Sequence, residues 1–131
     1  MVIKKKDKLT PEQLEEMNDY MEKLLEENQV LGERCKDFLD NVISQGNYFE
    51  EQLLKIKKKF PHVIEGVRGK GLLKGIKLKV ENSKFINQLF EQKLLVVKAS
   101  ENVVRLLPPL IVNKNEIDEA ISIIDKVCEN F

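Results

Sequence analysis

The sequence predicts an α+β fold: a small antiparallel or mixed sheet of three to four strands packed with helices and preceded by an amphipathic helix. Three observations carry this. Apolar residues recur at spacings of three and four before Pro61, and alternate at a spacing of two beyond it. Prolines and short polar cap signals separate the segments. The resulting order is helix, helix, strand, strand, helix, strand, strand, helix, divided into an N-terminal helical segment at 1–33 and an α+β domain at 34–131.

The first helix opens at Thr10-Pro11-Glu12-Gln13, a capping box in which Thr10 accepts from the Gln13 amide and Pro11 takes the first helical position. Leu9 and Leu14 stand at the two ends of a hydrophobic staple. Leu14, Met17, Met21 and Leu24 form one apolar stripe, to be covered by a partner helix or by the chain's own domain. Gly32 interrupts. A second helix runs from about Lys36 to Lys59 with Phe38, Leu39, Val42, Ile43, Phe49, Leu53 and Ile56 in period. Gly46 lies inside it and permits close approach of another element. Lys57 to Lys59 complement the helix dipole, and Phe60-Pro61 stops the helix.

Val63, Ile64 and Val67 suggest a short strand, and Ile76, Leu78 and Val80 alternate with Lys77 and Lys79 as a strand with one buried face. Arg68-Gly69-Lys70-Gly71 would lie where these two strands meet. Asn82 or Ser83 caps a short helix with Phe85, Ile86, Leu89 and Phe90 inward. Leu94 to Lys98 and Val103 to Leu107 read as strands around a turn at Ala99 to Asn102, and Pro108-Pro109 ends the second. Asn113 to Glu116 is another capping box, opening a helix with Ile117, Ala120, Ile121, Ile124 and Val127 inward.

Gly69, Gly71 and Gly75 raise the question of a phosphate loop. A dinucleotide fingerprint needs G-x-G-x-x-G followed by a helix. Here the spacing is G-x-G-x-x-x-G and a strand follows, with no glycine-lysine-serine or glycine-lysine-threonine ending. The glycines fit a tight strand connection and a close backbone approach instead.

Composition narrows the function classes. With 131 residues there is room for one domain with a modest core. Lys plus Arg and Asp plus Glu both number 22, so no basic excess supports nucleic-acid binding. No apolar run is long enough to span a bilayer, and the start "MVIKKKDKLT" lacks a secretory signal's apolar stretch; a cytoplasmic protein is expected. Cys35 and Cys128 have no metal or redox spacing and read as small apolar thiols. His62, after a helix-ending proline, reads as a solvated loop residue. No catalytic triad or metal cluster is visible.

Two motifs carry a resemblance. "FPHVIEGVRGKGLLKGIKL" and, after a short helix, "KLLVVKASENVVRLLPPLIVNKNEIDEAISIID" resemble the C-terminal small domain of class III, pyridoxal-phosphate-dependent aminotransferases. Within that family the acetylornithine branch is most similar, with ornithine and succinylornithine relatives near. The resemblance covers about residues 35 to 131 and leaves residues 1 to 30 unplaced. It implies an amino-group transfer between N-acetylornithine and 2-oxoglutarate or glutamate, in arginine biosynthesis. It also implies a large domain that holds the Schiff-base lysine and the phosphate-binding amides. The sequence has no room for that domain, so no catalytic or cofactor-binding residue is expected in it. Alone, the chain is expected neither to bind pyridoxal phosphate nor to transaminate. Its expected partners are a separately encoded large domain or a second copy of itself, with an amino-acid or 2-oxo-acid substrate in the assembled enzyme. The alternative is a non-catalytic interaction module or remnant, docking through the helix at 10–28.

Arg105 is the one candidate contact with substrate. From the residues alone it is either a solvent-facing arginine on an edge strand or a ligand contact; the resemblance implies a grip on the substrate α-carboxylate. A guanidinium supplies the planar fork for that task, which a lysine cannot. Arg68, Gly69, Gly71, Gly75, Pro108 and Pro109 are expected to be structural, with Arg68 tying the strand connection to a carboxylate or carbonyl.

Overall fold

The structure is a computed structural model that describes residues 9–131. The basic start of the chain lies outside the described residues, apart from Leu9 and Thr10. Two compact units are present, Met1–Phe38 and Leu39–Phe131.

Helix α1 spans Pro11–Lys59. Its start is capped as the sequence predicts: Gln13 N–H donates to Thr10 Oγ1 at 3.3 Å, and Thr10 N–H donates to Gln13 Oε1 at 3.0 Å. The break expected at Gly32 does not occur. A glycine inside an exposed helix costs about 1 kcal/mol against alanine, a penalty too small to end a long helix. The helix stops only at Phe60-Pro61, where the ring forbids the next turn. In the first unit the stripe of Leu14, Met17, Met21 and Leu24 is exposed.

The second unit is an antiparallel sheet with helices on one face. Strands β1 (Ile64–Lys70), β2 (Leu73–Leu78), β3 (Val97–Lys98) and β4 (Val103–Leu106) are ordered β1-β2-β4-β3. Side chains of one parity, Ile76, Leu78, Val104 and Leu106, enter the core. There they meet Phe49, Leu53 and Ile56 of α1, Phe85 and Leu89 of α2 (Asn82–Glu91), and Ile117, Ile124 and Val127 of α3 (Lys114–Cys128). Burying these side chains is the main favourable term, at about 25 cal/mol for each Å² of apolar surface removed from water. The α+β class, four strands and helical packing agree with the sequence reading, and every strand pair is antiparallel.

Helix α3 is fixed at both of its ends. Asn113 and Glu116 form the capping box expected, with both hydrogen bonds present. Lys59 Nζ, in the last turn of α1, bonds both carboxylate oxygens of Asp125 at 2.7 and 3.0 Å, and this pairing raises the Lys59 pKa.

Four local expectations need correction. The strand connection lies at Gly71-Leu72, so Arg68, Gly69 and Lys70 are inside β1 rather than between strands. Gly71 at φ +53° supplies the positive φ that a two-residue hairpin needs at its first position. Asn82 does not cap α2 with its own side chain; Glu81 holds the cap position. Instead Asn102 caps it from the β3–β4 loop, accepting from the Asn82 amide at 2.9 Å. The strand expected over Leu94 to Lys98 shortens to Val97–Lys98, because Leu94 N–H is drawn back to the Leu89 carbonyl at the end of α2. Phe90, expected inward, is exposed.

Candidate functional site

The sheet face away from the helices is open, and register places the candidate residues on it. Arg68 of β1 lies opposite Gly75 of β2, and Gly75 lies opposite Arg105 of β4. Directly opposed residues project from the same face, so two guanidinium side chains flank a position with no side chain. The row ends at Val97 of β3, opposite Arg105.

Each member is held by its neighbours in sequence. Val104 and Leu106 bury their side chains on the core side of β4, which turns Arg105 outward between them. Gly75 is buried beneath the row, and a Cβ there would lie 3.3 Å from Val103 Cγ1 and 3.7 Å from Arg68 Cγ. Arg68 therefore leans over the glycine. Gly69 has φ +136°, and a Cβ on it would meet the Leu73 carbonyl oxygen at 2.0 Å, which fixes glycine there.

These residues line one open cavity of about 480 Å³, together with Leu73, Lys74, Val103 and the loop residues Ala99 to Glu101. The structure thus brings Arg68, Gly69, Gly75 and Arg105 together. It does not bring Gly71 or the two prolines there: Gly71 lies against α1, and Pro108 and Pro109 line a separate apolar cleft with Phe49, Leu94 and Leu106.

Charge in the cavity is unevenly compensated. Arg68 Nη2 approaches Glu101 Oε2 at 4.0 Å, with both side chains largely exposed, a pairing worth little in water. Among the described residues no carboxylate oxygen comes within 4.0 Å of Arg105. An exposed guanidinium beside apolar side chains, with no internal partner, is suited to an external carboxylate.

Sequence reasoning missed Lys74 and Glu101. Lys74 is 2% exposed, and its Nζ meets Glu50 Oε2 of α1 at 2.5 Å. A signal existed: Lys74 shares the parity of Ile76 and Leu78, so its side chain had to enter the core. Glu101 offered no signal, since loop geometry alone brings it to Arg68. Elsewhere, His62 is exposed with its ring edge-on to Phe60. Cys35 is exposed and Cys128 buried, and burial, reinforced by Asp125, pushes the Cys128 thiol up to about 12. Among the described residues no group of three or more His, Cys, Asp or Glu side chains could hold a metal ion. None of their helices is long and apolar enough to cross a membrane.

An antiparallel sheet with helices on one face and two aligned arginines on the other defines an open-faced α+β domain. Its lineage is defined by comparison: the class-III aminotransferase family model matches residues 21–128, and the chain belongs to that family. The match begins ahead of residue 35, inside the stretch that the motifs left unplaced. The chain is 45% identical over 96 residues to acetylornithine aminotransferase 2 of Caulobacter vibrioides, covering 73% of this chain and 24% of that one. It is 47% identical over 92 residues to acetylornithine aminotransferase of Bacillus cereus, covering 69% and 23%. Among solved structures, acetylornithine aminotransferase from Elizabethkingia anophelis superimposes with a TM-score of 0.68 at 27% identity, over 75% of this chain and 25% of that one. The chain therefore spans about a quarter of the length of the relatives it matches.

The family's cofactor is pyridoxal phosphate, and the residues described do not fit it. Such a site needs a lysine free to condense with the aldehyde, an acid for the pyridine nitrogen and amides for the phosphate. Lys74, the lysine that lines the cavity, is engaged by Glu50 within the core. No glycine-serine or glycine-threonine pair occurs in the sequence.

Proposed function

We propose that residues 34–131 act as the small domain of an acetylornithine aminotransferase-type enzyme, with Arg105 holding the substrate α-carboxylate. The observation that carries this is the uncompensated, outward Arg105 beside Gly75, on a cavity that a small carboxylate can enter. Family membership and the names of the relatives support an acetylornithine aminotransferase-type reaction; the reaction proposed is amino transfer between N-acetylornithine and 2-oxoglutarate or glutamate, in arginine biosynthesis and in the cytoplasm. The cofactor and its lysine then come from a large domain, either continuous with this chain or separately encoded, and the chain alone is inactive. A second copy of the chain is the other partner to test for.

The experiment supplies the cofactor-binding portion of a relative and measures steady-state kinetics. Arg105→Lys keeps the charge but loses the two-pronged fork, and should lower kcat/KM for acetylornithine by about 30-fold or more, equivalent to about 2 kcal/mol. The same substitution in the chain alone should leave the melting temperature unchanged, because Arg105 faces water. Unchanged kinetics with a lowered melting temperature would make Arg105 structural and end this assignment.

The exposed stripe of Leu14, Met17, Met21 and Leu24 favours a second reading, a non-catalytic module docking through the helix at 10–28. Deleting residues 1–30 should then change the sedimentation or melting of the chain, whereas a free arm changes neither.

A further inference from the structure

We propose that residues 11–38 pair with the same stretch of a second copy as a parallel, in-register, two-stranded coiled coil. The inference rests on the second reading above, docking through the first helix, and adds the partner and its orientation. The stripe of Leu14, Met17, Met21 and Leu24 continues through Asn28, Leu31, Cys35 and Phe38 in strictly alternating steps of three and four. These are the a and d positions of a seven-residue repeat, and every one of them is exposed on α1. A straight helix drifts by about 20° over each such repeat, so the stripe stays in line only when two helices wind around each other. That period favours a second helix as its cover. Two such seams bury on the order of 1,000 Å², the size at which specific interfaces begin.

Charge agrees with a second copy as the partner. Every charged residue from 11 to 38 lies at the outer positions b, c and f, except Glu27 and Arg34 at g. In a parallel pair each g position faces the next e position of the other helix. Glu27 then faces Gly32 of the second copy and Arg34 faces an uncharged position, so no like charges meet although the helix is acidic. Tyr20 faces Leu25 by the same rule, which covers two more exposed apolar side chains. Asn28 sets the orientation. In the parallel register its amide meets the Asn28 amide of the second copy. In an antiparallel pair an a position faces d, and the amide would lie against apolar side chains without a partner.

The test is sedimentation equilibrium of the full chain over a wide range of micromolar concentrations. The mass should rise to twice that of the 15.2 kDa chain. Leu24→Glu, on the seam, should raise the dissociation constant by at least about 30-fold. Val30→Glu, at an exposed apolar residue off the seam, should leave it unchanged. Cross-linking with the small oxidant diamide reads the orientation, since the flank of a two-stranded seam stays open to it. Cys35 should join its own copy as a disulfide, while the buried Cys128 should not react. Met21→Cys in a Cys35→Ala chain should link as well, because only parallel in-register pairing brings both positions to their own copies. A monomer throughout, an assembly larger than a dimer, equal effects of the two glutamates, or linkage at one position alone overturns the coiled coil. If a monomer melts lower once residues 1–30 are deleted, the helix docks within its own chain, and the second reading survives without this pairing. If that deletion changes neither mass nor melting, both fail.

Discussion

The backbone of Gly71 occupies the space that a side chain on Gly46 would need: a Cβ at Gly46 would lie 2.6 Å from the Gly71 carbonyl oxygen. Helix α1 thus rests directly on the β1–β2 turn, and each glycine is required for its own reason. Gly46 supplies space, and Gly71 supplies a positive φ. Alanine at Gly46 gains about 1 kcal/mol in helix propensity, but backbone atoms cannot rotate out of its way as a side chain can. Gly46→Ala is expected to lose about 1–3 kcal/mol net, as overpacked cores do, measured by urea unfolding. At Gly32 a Cβ would meet nothing within 4 Å, so Gly32→Ala should instead raise helicity and melting temperature. Equal effects at the two sites would refute the close approach.

Lys74 and Glu50 should respond asymmetrically. The lysine is 2% exposed, while the side chain of its partner is 44% exposed. Removing the carboxylate, as in Glu50→Ala, leaves an ammonium buried without compensation and should cost about 3–5 kcal/mol. Removing the ammonium with a side chain of similar volume, as in Lys74→Met, leaves a carboxylate that water can reach. That change should be neutral or stabilising. Chemical denaturation of both variants checks the order, and a Lys74→Met more damaging than Glu50→Ala would reverse it.

The elements that sequence pattern exposed are those whose partners lie close along the chain. The Thr10–Gln13 and Asn113–Glu116 boxes close over three residues, and the alternation of Ile76 and Leu78 belongs to one strand. The Gly46 approach was legible because a glycine on a buried stripe has few other uses. The continuity of α1 through Gly32 was not, since propensity gives a cost and not a boundary. Nor was the cap from Asn102 to Asn82, which spans twenty residues. The site shows the same limit. Arg105 stood out by its motif, but its alignment with Gly75 and Arg68 is a consequence of strand register, which neither residue's neighbours in sequence specify.

Asn102 should be the most sensitive loop residue. It sits at φ +61°, where asparagine is tolerated better than most side chains. Its Nδ2 donates to the carbonyls of Leu78 and Val80 at 2.9 and 2.6 Å, while its Oδ1 accepts from Asn82. Asn102→Ala leaves these groups unpaired and keeps the unfavourable φ, for an expected loss of about 2–4 kcal/mol. Asn102→Gly relieves the φ alone and should recover only part of that loss. Thermal melts of the two variants, compared with the parent chain, separate the two contributions. Full recovery in Asn102→Gly would mean that the hydrogen bonds contribute nothing.

The two cysteines should differ in reactivity and in their effect on alkaline stability. Cys35 is exposed and should react with a thiol reagent in the native chain, whereas Cys128 should react only on unfolding. Burial raises the Cys128 thiol to about 12 in the folded chain, against an ordinary value of 9.0. Above the ordinary value the unfolded chain releases a proton that the folded chain retains, so stability falls as pH rises through that interval. Tyr48, raised mainly by its hydrogen bond to Asp118, and Lys59, raised mainly by its hydrogen bonds to Asp125, act in the same direction. Cys128→Ala should therefore flatten the alkaline loss without abolishing it. Urea midpoints measured at several pH values between neutrality and about 11 decide the matter. Identical pH slopes for the parent and Cys128→Ala would show that the buried thiol ionises as freely as an exposed one.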